Sequence, residues 1–323
     1  MASGEALWSE RELILNISEI FAEANSELMV GIGDDAAVVS RPSSNLVVTT
    51  DMAVQDVHFK TEWSSAREIG KKVAAANLAD IYAMGGKPRY LTVAMAATGG
   101  EELDWMLDVA RGIADEVRIT GAQVIGGDLS RSEKIVISIT AIGECAKPIL
   151  RSGAQVGDSI FITNLPGWSE AGLIALERGL QKESNSESID FAIREHRSPS
   201  VDYDNAERIA KEANSLCDIS DSLLIQAEQM AAASGVQFEI NGDLIAAHPE
   251  FANLSQVASE LKVSVFDLVE ALQQALEVKK RRALRDIVVA LPVIEKKTDI
   301  SKIIFDLHNK ISGLLTKKEK LTF

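Results

Sequence analysis

Five acidic motifs are the residues in this chain best suited to chemistry: GIGDDAAVV around Asp35, VVTTDMAV around Asp51, AAANLADIYAMGG around Asp80, QVIGGDLS around Asp128 and LCDISDSLL around Asp218 and Asp221. In each, an acid stands where an apolar run gives way to small residues. Carboxylates gathered at strand ends would bind hard cations through oxygen, and Gly, Ser and Thr neighbours would leave room for a polyphosphate. A single such Asp is more simply read as a helix cap or a strand terminator, and Asp221, just before LLIQAEQMAAA, is a fair example. The five taken together favour metal binding. GIGDDA also satisfies a dinucleotide GxGxxA pattern, but two acids would face a pyrophosphate and AAVV continues as strand rather than helix. With no Walker loop and no kinase-type glycine loop, phosphate charge would be met mainly by metal ions.

The elements that must carry these acids read as mixed α/β. Strand-like runs at Leu46 to Thr50, Ile135 to Ile142 and Ser159 to Thr163 alternate with helical periodicity from Ala66 and from Glu101, the second ending at a C-cap glycine, Gly121. The polar, glycine-containing segment KPILRSGAQVGD predicts a boundary near residue 147, giving domains 1–146 and 147–323. LQKESNSESID reads as a surface loop, and His196 as support for a turn. From about Leu261 the chain becomes helix-prone and lysine-rich, with FDLVEALQQALEVKKRRALRDIVVALP reading as one charged, helix-like stretch.

The 323 residues, 46% of them apolar, suffice for two cores. A net charge of -15 argues against a nucleic-acid partner, and the KKRR run from Lys279 is too short to reverse that. Cys145 and Cys217 form no CxxC pair, which predicts a reducing, cytoplasmic setting without disulfide or zinc. The amphipathic N-terminus and the lack of a long apolar run predict no membrane segment.

In order along the chain, GIGDDAAVV, TTDMAVQDVHF, AANLADIYAMGGKP, IGGDLSRS, RSGAQVGD, NLPGWSEAGL and DISDSLL resemble thiamine-monophosphate kinases of the aminoimidazole-ribonucleotide-synthetase-like superfamily, over about residues 10 to 260. The resemblance implies ATP-dependent phosphorylation of thiamine monophosphate, by direct transfer in the presence of several Mg2+ ions. It implies Asp35, Thr49, Thr50, Asp51, Asp80, Asp128, Asp218 and Asp221 as metal ligands. Gly127, Asp128, Arg151 and Ser220 would contact ATP, and His58 the substrate. For Arg151, the residues alone leave a phosphate fork and a domain-junction ion pair equally open. The implied fold is an N-terminal mixed-sheet domain that dimerises, followed by a C-terminal α/β domain that closes the nucleotide cleft.

The chain departs from that pattern in three places. Ser222 stands where the family usually has Gly in DISDGL, a strain if that backbone has positive φ and harmless if the residue starts a helix. Gln226 stands where an acid is common. A Gly-Gly-Glu-Asp segment, whose Glu would contact substrate, is missing, and Glu270 lacks the glycines to replace it. These departures keep open a second reading, a relative that binds Mg-ATP without catalysis or with altered substrate.

Overall fold

The computed structural model describes residues 16–17, 19–21, 28–30, 38–39, 44–182, 186–220, 222–270 and 291–294. Two short strands, β1 (Leu28–Val30) and β2 (Val38–Val39), pair antiparallel. The main sheet contains β3 (Asn45–Val54), β4 (Lys87–Ala97), β5 (Gln123–Arg131) and β6 (Val136–Cys145), in the order β3-β6-β4-β5. β6 is antiparallel to both neighbours, whereas β4 and β5 are parallel. Helix α1 (Ala66–Ala83) joins β3 to β4 and α2 (Leu103–Thr120) joins β4 to β5, as parallel strands require a crossover.

Local sequence explains both helices. A reciprocal capping box between Ser65 and Glu68 starts α1, and Gly121, at φ 70°, ends α2 in the left-handed conformation expected of a C-cap glycine. Both helices lie on one face of the sheet. There Ile137, Ile139 and Ala141 of β6 and Leu91 of β4 share a core with Ile69, Leu78 and Ile81 of α1 and Ile113 of α2. Among the described residues no element covers the opposite face, and on the edge strand β3 it exposes Leu46, Val48 and Met52 by 54%, 61% and 56%.

The second half of the chain carries β7 (Asp158–Phe161) and helices α3 (Trp168–Glu177), α4 (Glu187–Arg197), α5 (Tyr203–Ala210), α6 (Leu223–Ser234), α7 (Gly242–Ala246), α8 (Phe251–Glu260) and α9 (Val265–Val269). A second core joins α3, α4, α8 and α9 through residues such as Trp168, Ile193, Leu254 and Leu268. Helix α5 instead returns to the first core. Its Tyr203 packs against Tyr82 of α1, with ring centroids 5.1 Å apart, and donates its hydroxyl to Glu116 of α2 at 2.7 Å.

Three local expectations are corrected. His196 supports no turn: it lies in the last turn of α4, buried, and its carbonyl accepts a 2.7 Å hydrogen bond from the buried Lys72 ammonium of α1. Burial and the nearby lysine hold its imidazole well below the usual histidine range. The helix-like reading after Leu261 fails at Leu291–Ile294, which forms strand β8, antiparallel to β7. Its β-branched residues suit a strand, and in a two-stranded sheet Pro292 can occupy an edge. The surface loop is also shorter than expected, because Ser186 caps α4 by accepting from the Ile189 amide.

Candidate functional site

Asp51 and Asp128 do not sit at strand ends, as expected, but within β3 and β5. A strand tolerates an acid in its interior when alternation turns that side chain away from the core. Asp51 pairs in register with Ile139 and thus lies on the helix side of the sheet, where it is half-buried. Asp128 pairs with Ala94, in the same row as Ser138 and Met52 on the open face, and is exposed.

The link between β3 and α1 brings several of the expected ligands together. Thr49 donates its hydroxyl to Asp80 Oδ2 at 2.8 Å. Two residues further along the strand, the Asp51 amide donates to Asn77 Oδ1 at 3.0 Å, while Asn77 Nδ2 donates to the Val73 carbonyl at 2.9 Å. Asn77 and Asp80 are three residues apart on one helix, so the same helical face holds both contacts. Thr50 points to the other side of the sheet, where it accepts from Thr140 at 3.1 Å and donates to the Ile139 carbonyl.

Asn77 has no solvent exposure and was not among the expected site residues. Its Asn-x-x-Asp spacing was legible, but its partner, 26 residues earlier on a strand, was not. Replacing Asn77 with Ala would remove the acceptor that the Asp51 amide meets and is expected to cost about 2 kcal/mol of stability. Urea unfolding at equilibrium measures this, and an unchanged midpoint would mean that the bond contributes nothing.

His58 follows a tight turn in which Asp56 adopts φ 64°, a conformation that aspartate tolerates better than most residues. The His58 Nδ1 accepts the Val54 amide at 3.0 Å. In the neutral ring this leaves the proton on Nε2, making that nitrogen a donor suited to an anionic oxygen.

The second cluster forms around Arg151, which opens a short turn at Arg151–Gly153. Its carbonyl accepts from the hydroxyls of Ser215 and Ser234, each at 2.9 Å. A Cβ at Gly153 would stand 1.8 Å from the Asn214 carbonyl, so only glycine allows this approach. The guanidinium donates to Gln226 Oε1 at 3.2 Å, to the Gln229 amide oxygen, and to Asp218 Oδ1 at 3.5 Å. Gln226 Nε2 in turn donates to Ser220 Oγ at 3.2 Å. Arg151, Asp218 and Ser220 are therefore assembled in one place, and the Arg151–Asp218 ion pair lies within the second half of the chain rather than across a domain junction.

Ser222, not Asp221, caps α6: its hydroxyl accepts from the Ile225 amide, and its φ of -170° is ordinary extended backbone. Serine at this position is therefore unstrained. Asp35 and Asp221 lie outside the described residues. Among the described residues, no three acids, histidines or cysteines stand close enough to hold a metal by themselves.

Glu270 follows α9 and is 4% exposed. Burial pushes its carboxyl up to about 7, offset only in part by the Leu224 amide at the start of α6. Below about 4.5 the carboxyl is protonated in both folded and unfolded chains. Between that value and 7 the unfolded chain ionises first, so stability falls as pH rises and then levels off. The raised pKa corresponds to about 3 kcal/mol. Glu270→Gln should therefore match the parent near pH 4.5 and exceed it by about 3 kcal/mol at pH 8. Paired urea titrations at the two pH values check this, and a difference that does not grow with pH would refute it.

Residues 33–145 match the family described as AIR synthase related protein, N-terminal domain. The thiamine-monophosphate kinase of Bacillus subtilis (strain 168) is 34% identical over 236 residues, 71% of this chain and 72% of that protein. That of Mycobacterium tuberculosis (strain ATCC 25618 / H37Rv) is 36% identical over 225 residues, 68% of this chain but 65% of the relative, just under two thirds of its length. In three dimensions the chain resembles thiamine-monophosphate kinase from Stenotrophomonas maltophilia K279a, with TM-score 0.71 and 24% identity over 96% of this chain and 90% of the other, a likeness of fold. It also resembles AaThiL complexed with AMPPCP and TMP, with TM-score 0.66 and 26% identity over 88% of this chain and 84% of that one. By its ordered motifs, its mixed α/β fold and these likenesses, the chain belongs to the thiamine-monophosphate kinase family.

Proposed function

We propose that this protein transfers the terminal phosphoryl group of ATP to the phosphate of thiamine monophosphate, producing thiamine diphosphate and ADP with Mg2+ as cofactor. The observation that carries the reading is the junction of β3 and α1, where Thr49 meets Asp80 and Asn77 anchors the Asp51 amide. These hydroxyl and carboxylate oxygens suit a hard cation. Magnesium is commonly held by one or two carboxylates together with substrate phosphates, so a closed cage of three acids is not required. On this reading Asp35, Thr49, Thr50, Asp51, Asp80, Asp128, Asp218 and Asp221 supply the protein ligands of several Mg2+ ions, with Asp51 and Asp128, on opposite faces of the sheet, serving different ions. When bound, Mg2+ neutralises phosphate charge.

The chain's own groups supply binding and orientation. Arg151, Ser220, Gly127 and Asp128 contact the nucleotide, with Arg151 donating to phosphate oxygens, and His58 contacts the phosphate of the acceptor. A phosphate monoester has its second pKa near 6, so the acceptor oxygen is largely ionised at pH 7 and needs no general base. A new P–O bond forms to it as the bond to ADP breaks, without a covalent enzyme intermediate.

The open face of the main sheet supports a homodimer. Leu46, Val48 and Met52 line one face of an edge strand, an arrangement that a second copy would cover. Residues 1–146 would then bind ATP and metal and dimerise, with 147–323 closing the cleft. Sedimentation of the full chain at micromolar concentration tests the dimer, and a purely monomeric species would reject it. Two free, buried cysteines support a cytoplasmic setting. Among the described residues no helix is long and apolar enough to cross a membrane.

The reaction is tested with purified protein, ATP, Mg2+ and thiamine monophosphate, using chromatography for the product. Thiamine diphosphate formed only when both ATP and Mg2+ are present supports the proposal. Mg-ATP binding without product would instead support the non-catalytic reading.

A further inference from the structure

Gln226 lies at the centre of the Arg151 cluster, 2% exposed on the first turn of α6. Its amide has two partners: the oxygen accepts from Arg151 Nη1 and the nitrogen donates to Ser220 Oγ, each at 3.2 Å. Its own backbone amide donates to the Ser222 carbonyl, which locks it into the start of the helix. One buried side chain thus links two groups of the nucleotide reading to a rigid element.

The chemistry of that link is selective. An amide can accept from a guanidinium and donate to a hydroxyl at once, whereas a carboxylate can only accept. A carboxylate would also place a negative charge beside the cation, cancelling charge that an incoming phosphate would otherwise meet. Gln226 and Gln229 hold the guanidinium through neutral oxygens. Among the described residues its one carboxylate contact, Asp218, is at the long distance of 3.5 Å, and the Arg151 side chain remains 43% exposed.

We propose that Gln226 is a positioning residue: it aims the Arg151 guanidinium and the Ser220 hydroxyl toward nucleotide phosphate while leaving the positive charge of Arg151 available. This rests on the reading of Arg151 as a nucleotide contact. It assigns Gln226 a role that turns on its neutrality as well as its shape.

The test is a double-mutant cycle read by calorimetry with the magnesium complex of AMPPCP. Arg151→Ala and Gln226→Glu should each weaken binding about tenfold. The double variant should bind no more weakly than Arg151→Ala alone, because Gln226 acts through Arg151. Gln226→Met, neutral but without either hydrogen bond, should weaken binding about threefold, again only when Arg151 is present. Wild-type affinity in both Gln226 variants, with Arg151→Ala weakened, overturns the role of Gln226. An equal loss from Gln226→Glu with and without Arg151 also overturns it, since that is the signature of general charge repulsion. Wild-type affinity in Arg151→Ala overturns the underlying nucleotide reading instead. Should Gln226→Glu fail to fold, judged by its thermal midpoint, the Gln226→Met arm decides.

Discussion

Replacing Asp80 with Asn is expected to lower kcat for thiamine diphosphate formation by at least about 100-fold while leaving the fold intact. Asn keeps the size of the side chain and an oxygen able to accept from Thr49, whose hydroxyl now meets Asp80 Oδ2 at 2.8 Å. The local packing therefore survives, and what disappears is the negative charge. Asp80 is half-buried on α1, facing β3, so water screens that charge less than it would at an exposed site. Single-turnover kinetics over a range of Mg2+ concentrations, alongside thermal unfolding, separates the two effects. Unchanged turnover, or turnover lost only in proportion to unfolding, would remove Asp80 from the chemistry.

The second large effect is expected at Gly127. A Cβ there would stand 2.0 Å from the Val93 carbonyl, which belongs to the neighbouring strand β4. Backbone in a paired strand cannot retreat without giving up ladder hydrogen bonds, so the clash has no inexpensive outlet. Gly127→Ala should cost about 3 kcal/mol or more, and Gly127→Val should do no better, because the first added carbon already causes the conflict. Urea unfolding measures both. If Gly127→Ala unfolds at the parental midpoint but loses affinity for Mg-AMPPCP, the glycine serves the ligand and not the strand pairing.

Gly127 also shows where sequence reading reaches its limit. The GGD pattern suggested a backbone opened toward phosphate, and the structure shows a separate demand from the adjacent strand. Ser222 is a similar case. From sequence it was either a strained substitute for glycine or a helix start, and its extended backbone and capping hydroxyl decide for the second. The residue that looked like a defect completes α6.

Helices α1 and α2 were legible because their periodicity, the Ser-x-x-Glu start of α1 and the terminal glycine of α2 depend on residues three or four apart. β3 and β6 were legible from their β-branched runs. The strand at Leu291–Ile294 was not, because a short apolar run carries no information about its partner, and β7 lies more than a hundred residues earlier. His196 was misplaced for the same reason: its burial follows from α4 packing near Lys72, which is 124 residues away.

By itself the sequence determined the family, through an ordered series of motifs rich in acids and hydroxyls, the donor groups that the proposed site would use. Tertiary structure decided which of those groups meet. It placed Thr49 against Asp80 and joined Arg151 to Asp218 and Ser220, but put Asp51 and Asp128 on opposite faces of one sheet. It also selected Asn77 and Gln226 as the residues that hold their neighbours. The physical reason is range. Helix and strand propensities act between residues a few positions apart, whereas Asn77 reaches across 26 residues and Gln226 across 75 to partners set by packing and strand register.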